Sequence, residues 1–255
     1  NAGLLTLKQG FGIIMGANIG TTMTAQLIAF KLSDYVPVLI FIGFLVQLLA
    51  RRSRTKYLGQ VLLGFGILMM GMDIMGKAVM PLRNYQGFVD FIGAFSNNPI
   101  LVIGIGVVMT VLIQSSSATI GILIAMAGQG LIPLEGAIPV LLGDNIGTCI
   151  TAVLASMRAN QTAKRVALAH VMFNVIGSII FVTFMSLFLK LVIAISPAGD
   201  IARQIANAHS AFNIINTLLF MPFVGYFIKL IERILPDKGE IISLRPVYLE
   251  EKMLN

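Results

Sequence analysis

Ile113-Gln114-Ser115-Ser116-Ser117-Ala118-Thr119-Ile120 decides how this chain folds, because it places five polar side chains in the middle of the longest charge-free stretch, Phe91 to Leu134. Asn97-Asn98-Pro99 precedes the stretch's first apolar arm, Ile100 to Ile113, and Gly128-Gln129-Gly130 follows its second, which ends at Ala127. A helical arm of about a dozen residues rises too little to cross about 30 Å of hydrocarbon. The two arms therefore read as a re-entrant helical hairpin that turns at the serines and returns to the face it entered. A competing count makes Phe91 to Ile113 a complete span.

Composition sets the environment. Of 255 residues, 57% are hydrophobic and 11% are charged, against about a quarter charged in soluble domains. Disordered, coiled-coil and disulfide-scaffold classes are excluded, and a water-soluble enzyme is disfavoured. Charge-free gaps also run from Gln9 to Phe30, Tyr35 to Ala50, Tyr57 to Met72, Val166 to Leu189 and Gln204 to Ile228. Most fit one apolar span each, and the alternating ten-residue pattern of a β-barrel is missing. The expected fold is an all-α polytopic membrane protein. Its net charge of +7 resides largely in clusters: Arg51, Arg52, Arg54 and Lys56; Arg158, Lys164 and Arg165; Lys229, Arg233 and Lys238. Short basic loops face the cytoplasm, which explains the charge better than a nucleic-acid partner does. Cys149 is the single cysteine and cannot form an internal disulfide. Both ends read as cut, since Asn1 replaces an initiator Met and the tail is too short for a domain.

Gly16-Ala17-Asn18-Ile19-Gly20-Thr21-Thr22-Met23-Thr24-Ala25 recurs, 127 residues later, as Gly143-Asp144-Asn145-Ile146-Gly147-Thr148-Cys149-Ile150-Thr151-Ala152. Gly3 and Gly130, Leu7 and Leu134, and Lys31 and Arg158 continue the match. Counting crossings from the Arg51–Lys56 loop puts Lys31 outside and Arg158 inside, so the copies run in opposite senses. Inverted-topology repeats with broken helices at the bilayer midplane are a transporter architecture; a full span over Phe91 to Ile113 would remove the inversion. The resulting division is residues 1–56, the remainder of a first repeat plus the following span; 57–235, a second repeat with the hairpin and C-terminal spans; and 236–255, a cytoplasmic tail.

A polar group in hydrocarbon must find a partner. At the hairpin tip one helix ends and another starts, so free N–H groups, the positive end of a helix dipole and serine hydroxyls meet in a donor-rich cradle suited to an anion such as phosphate. Hydroxyl, amide and carbonyl oxygens there also suit Na+. Simple hydrogen bonding between helices is the alternative. Asn18, Thr21, Thr22 and Thr24, with Asn145, Thr148 and Thr151, surround glycines that permit either unwinding or close backbone approach. Asp144, matched by Ala17, is the sole acid deep in its span, a candidate ion ligand or proton carrier. Ala169-His170-Val171-Met172-Phe173-Asn174 resembles Ala208-His209-Ser210-Ala211-Phe212-Asn213, and interhelical hydrogen bonding is the expected role of both. No metal constellation appears.

The QSSSAT hairpin joined to duplicated G-x-N-I-G-T segments resembles the type II sodium-dependent phosphate cotransporter family, in its bacterial branch, over about residues 1 to 235. The resemblance implies two inverted repeats, each with a QSSS hairpin, a secondary active transporter rather than an enzyme, and no cofactor beyond Na+ as coupling ion. It makes Gln114, Ser115, Ser116, Ser117 and Thr119 one half-site, with Asn18, Thr21, Asn145 and Thr148 nearby. With the residue reading, phosphate is expected at Gln114, Ser115, Ser116, Ser117, Asn18 and Asn145, and Na+ at Thr119, Thr21, Thr22, Thr148, Thr151 and Asp144. The setting is a bacterial inner membrane with a cytoplasmic C-terminus. The 127-residue offset puts a first QSSS before residue 1, so this chain is expected to lack one half-site. Val247 to Leu254 is similar to the stretch that leads, in some members, into a cytoplasmic PhoU-like domain. A phosphate-sensing membrane component with little flux, and a Na+-coupled carrier of another oxyanion or a carboxylate, are the alternative functions.

Overall fold

The computed structural model describes residues 5–30, 35–87, 90 and 98–236, which form helices and no strand. Helix α1 spans Leu7–Ile28, α2 Val36–Leu49 and α3 Ser53–Val79, the last extended by a 3-10 turn, Met80–Asn84. The hairpin arms are α4, Pro99–Ile113, and α5, Ser116–Gly128. Then come α6 (Leu134–Gly147), α7 (Ile150–Ser156), α8 (Gln161–Thr183), α9 (Met185–Ala194), α10 (Ile201–Phe220) and α11 (Val224–Ile234). Five helical stretches are long and apolar enough to cross a membrane: Leu7–Ile28, Ser53–Asn84, Leu134–Ser156, Gln161–Thr183 and Ile201–Ile234. The protein is a multi-pass helical membrane protein.

Local sequence sets the helix ends. Thr6 and Gln9 form a capping box at the start of α1, satisfying N–H groups that a helix start leaves open. Asn98 accepts from the Ile100 and Leu101 N–H groups, and Pro99 occupies the first turn of α4, where its missing N–H does no harm. Asn160 and Asp200 cap α8 and α10.

Side-chain contacts fix the helix directions. Gly10 of α1 lies against Val166 near the start of α8, and Phe11 packs on Phe227 of α11 at 4.9 Å between ring centroids. Gln161 and Arg165, also at the start of α8, donate to the Pro236 and Leu235 carbonyls beyond α11. These three helix ends share one face of the bundle. On the opposite face, Arg203 donates from the start of α10 to Gln26 near the end of α1, and its guanidinium sits 4.4 Å over the Phe30 ring. Because α7 ends four residues before α8 begins, the α6–α7 segment runs toward the face from which α1 departs.

The hairpin is observed. Helix α4 lies parallel to α6, with Ile103 and Gly106 beside Gly143 and with Val107 and Thr110 beside Gly147. Gln114 then adopts a left-handed conformation (φ 55°), a sparsely populated region for a residue with a Cβ, and ends the arm. Helix α5 returns to Leu131, Ile132 and Leu134 at the start of α6, where Ile124 and Ala127 join the same core. The arms hold 15 and 13 residues, about 20 Å each at 1.5 Å per residue.

Glycine serves close approach rather than unwinding. A Cβ at Gly106 would strike the Val140 carbonyl, and one at Gly143 the Ile103 carbonyl. Helix α1 passes unbroken through Gly16 and Gly20, and between α6 and α7 only Thr148 and Cys149 interrupt the helix. Gly43, Gly59 and Gly66 seat α2 against α3 in the same way. Lys31, Asn97 and the tail segment Val247–Leu254, which carried the outside position, part of the chain break and the likeness to a PhoU-domain lead-in, lie outside the described residues.

Candidate functional site

The hairpin tip and the end of α6 form one buried polar network. Thr119, one turn into α5, is fully buried and donates to the Ser115 carbonyl at 3.2 Å. Thr110, near the end of α4, has Asp144 Oδ1 at 2.8 Å, the Gly106 carbonyl at 3.0 Å and Thr119 Oγ1 at 3.2 Å. A hydroxyl has one proton, and the shortest of these contacts is to the carboxylate. Asp144 is 0% exposed, and its Oδ2 has no hydrogen-bond partner among the described residues. Among the described residues no cationic side chain pairs with it. Thr110 can sit here because Gly106 and Gly147 remove the side-chain layer between α4 and α6.

Ser115 caps α5, its Oγ accepting from the Ala118 N–H at 3.3 Å. Its hydroxyl proton remains free to donate. Ser116 and Ser117 are half-buried in the first turn, and among the described residues no carbonyl accepts from their backbone N–H groups. Gln114 is exposed beside them. The tip thus presents unpaired N–H groups and hydroxyls at a helix start, next to a buried carboxylate that lacks a counter-charge. Such a start attracts anions, while an uncompensated carboxylate in a low-dielectric setting attracts a cation.

The other candidates divide between two places. On the α6–α7 side, Asn145 is buried and donates to the Leu141 carbonyl, Thr148 donates to the Asp144 carbonyl, and the exposed Thr151 donates to the Thr148 carbonyl. Their oxygens keep lone pairs for a ligand. On α1, Asn18 and Thr22 are buried and Thr21 is half-buried; the two threonines donate to the Ala17 and Ile19 carbonyls. Asn18 Nδ2 has no partner among the described residues. Among the described residues no hydrogen bond ties Asn18, Thr21 or Thr22 to the hairpin or to Asp144. One member of the network escaped the sequence reading: Thr110. Its signal was present, as the lone hydroxyl residue in the arm Ile100 to Ile113.

Comparison with known proteins finds relatives over much of the chain. An "Uncharacterized protein YqeW" of Bacillus subtilis is 37% identical over 197 residues, 77% of this chain and 64% of its own length. A "Putative inorganic phosphate export protein YjbB" of Escherichia coli is 30% identical over 184 residues, 72% of this chain and 34% of the relative. A "Sodium-dependent phosphate transport protein 2A" of Ovis aries is 32% identical over 120 residues, 46% of this chain and 19% of the relative. The chain therefore spans about two thirds of the first of these relatives and about a third of the second. No solved structure matches it. Residues 1–77 and 83–242 match the pattern of the Na+/Pi-cotransporter family, and the chain, with its duplicated G-x-N-I-G-T segments and QSSS hairpin, belongs to that family.

Proposed function

We propose that the protein is a secondary active transporter that couples Na+ to the movement of inorganic phosphate, with its site at mid-depth in the bundle. The observation that carries this reading is Asp144, a carboxylate with no exposure and an unpartnered oxygen beside a hairpin tip that offers hydroxyls and unpaired N–H groups. A divalent anion held by neutral donors alone is costly in a low-dielectric site, and a co-bound cation offsets both its charge and that of Asp144. Ser115, Ser116, Ser117 and Gln114 hold the anion, with Asn145 and, from the first copy, Asn18 beside it. Asp144, Thr119, Thr148 and Thr151 supply oxygens to Na+, with Thr21 and Thr22 on the α1 side.

The opposite directions of α1 and α6–α7 support inverted repeats, and the basic ends of α3, α7 and α11 support a cytoplasmic C-terminus in a bacterial inner membrane, where a PhoU-like domain is the proposed partner. The family and the name of the sheep relative support Na+ and phosphate as the ligands. Uptake of labelled phosphate by the full-length protein in liposomes tests the reading. Uptake should require an imposed Na+ gradient, and Ser116→Ala should weaken phosphate dependence far more than Ser178→Ala, which alters a serine of α8. Asp144→Asn should raise the Na+ concentration for half-maximal uptake. Phosphate binding without flux would favour a sensor instead. Single cysteines at Tyr35 and Asn160 in a Cys149→Ala background should label from opposite faces; labelling from one face would remove the inversion.

A further inference from the structure

We infer that the seam between α8 and α10 holds a second site for a hard monovalent cation of the Na+ class, built from the side-chain oxygens of Asn174, Asn213, Asn216 and Thr217. The two His-x-x-Phe-Asn segments make the same local device. Asn174 Nδ2 donates to the His170 carbonyl at 3.2 Å, and Asn213 Nδ2 donates to the His209 carbonyl at 3.0 Å. Each amide nitrogen is thereby anchored on its own helix one turn back. Asn174 Nδ2 also reaches Cys149 Sγ at 3.3 Å, next to the α6–α7 interruption. Asn216 crosses the seam, and its Nδ2 donates to the Phe173 carbonyl of α8 at 3.2 Å.

Every one of these nitrogens meets a carbonyl, so none of the amides can flip without setting oxygen against oxygen. The oxygens are left over. Asn174 Oδ1, Asn213 Oδ1, Asn216 Oδ1 and Thr217 Oγ1 are all buried without a hydrogen-bond partner among the described residues, and the three asparagines are 0% exposed. They lie on adjacent turns. Asn213 neighbours Asn216 and Thr217 at three- and four-residue spacings on one face of α10. The Asn216 amide rests on Gly177, where a Cβ would come within 2.6 Å of its Oδ1, and Gly177 is one turn from Asn174 on α8. Gly177 is needed there for the amide to cross.

Buried polar atoms are nearly always satisfied, and an unpartnered one in the interior carries the full desolvation penalty. Four oxygen dipoles without donors make a region of negative potential among apolar helices. Neutral carboxamide and hydroxyl oxygens suit a weakly charged hard cation, and among the described residues no cluster of three or more His, Cys, Asp or Glu side chains could hold a metal ion. Among the described residues no direct hydrogen bond joins these oxygens to Thr110 or Asp144, and the inference does not depend on phosphate being the cargo.

The test follows thermal unfolding of the full-length protein in nanodiscs without phosphate, with NaCl exchanged for choline chloride at constant ionic strength. The Asp144→Asn background removes the carboxylate of the first site. Na+ should still raise the melting temperature in that background, and adding Asn216→Leu should abolish the rise. Asn213→Asp keeps an oxygen and adds a charge, so it should lower the Na+ concentration at half effect about tenfold. The inference is overturned if Asp144→Asn alone removes the Na+ response, if Asn216→Leu leaves it intact, or if choline and Na+ stabilise equally. Should Asn216→Leu fail to fold, an unchanged Na+ midpoint in Asn213→Asp would overturn it as well. Failure of Na+-driven phosphate uptake, by contrast, would leave this binding signal untouched.

Discussion

Helices α1 and α6 carry the same decapeptide pattern and live in different surroundings. In α6, Gly143 and Gly147 are buried under α4, whose backbone comes so near that no Cβ fits. In α1, Gly16 and Gly20 are exposed, with no atom of a neighbouring element within 4 Å of an added Cβ. Asp144 reaches Thr110 on α4, while its counterpart Ala17 faces outward. The difference teaches that a glycine in an apolar helix has no fixed meaning of its own. The helix laid across it decides whether it is a requirement or a weakness.

The contrast can be broken most directly at the matched glycines. In this 255-residue chain, Gly143→Ala should lower unfolding stability in mixed micelles by about 3 kcal/mol or more, because the methyl group meets a backbone that has to move. Gly16→Ala should instead raise it by up to about 1 kcal/mol, since Ala is the better helix former where space is open. Equal losses at both positions would mean that the open face of α1 is covered.

Exchanging the polar partner gives the next largest effect. Ala17→Asp should reduce membrane insertion of α1 by about 3 kcal/mol in a glycosylation-reporter assay, because a carboxylate on that exposed face has no Thr110 to meet it. A silent Ala17→Asp would indicate a polar neighbour there.

Thr110→Val keeps shape and removes the one side-chain donor to Asp144 among the described residues. A loss of about 2 kcal/mol is expected from denaturant titration, and the loss should disappear in an Asp144→Leu background, as required of a coupled pair. If the two losses simply add, the 2.8 Å contact contributes nothing.

Ser178→Ala sharpens the scale from below. Its hydroxyl reaches the Leu142 carbonyl only at 3.5 Å, the limit of a useful hydrogen bond, and removing it should change stability by about 0.5 kcal/mol or less. A larger loss would mark α6 as tightly held by α8 as it is by α4.

Much of this was legible in the sequence because the bilayer simplifies the reading. Charge-free gaps located the helices, and arm length alone separated a hairpin from a span at Gln114–Ser115. The described helices and the turn of the hairpin agree with both, whereas the capping of the first arm by Asn98 and Pro99 was seen only in the structure. Less was legible in the site. Periodicity could not say which helix would cover Gly143, so Thr110 looked like one hydroxyl in an apolar arm rather than the partner of Asp144. Asn18 and Thr21 shared a motif with Asn145 and Thr148, but a motif records ancestry and local geometry, not which neighbour packs on it. His170 and His209 marked matching segments, and the buried atoms without a partner among the described residues include His170 Nε2 and His209 Nδ1 as well as the oxygens of the asparagines beside them.

The glycine contacts also have a mechanical side. Helices separated by a layer of side chains can slide a little as rotamers adjust. Where Gly106 meets Gly143 and where Gly43 meets Gly59, no such layer exists, and relative sliding drives backbone into backbone. Helices α4 and α6 then behave as one plank, carrying Thr110 and Asp144 together, and α2 and α3 as another. The compliant joint lies elsewhere. Gly121 of α5 is covered by the thioether ends of Met72 and Met75, long unbranched side chains that repack readily, so the return arm of the hairpin can shift against α3 while the carboxylate and its hydroxyl partner keep their distance.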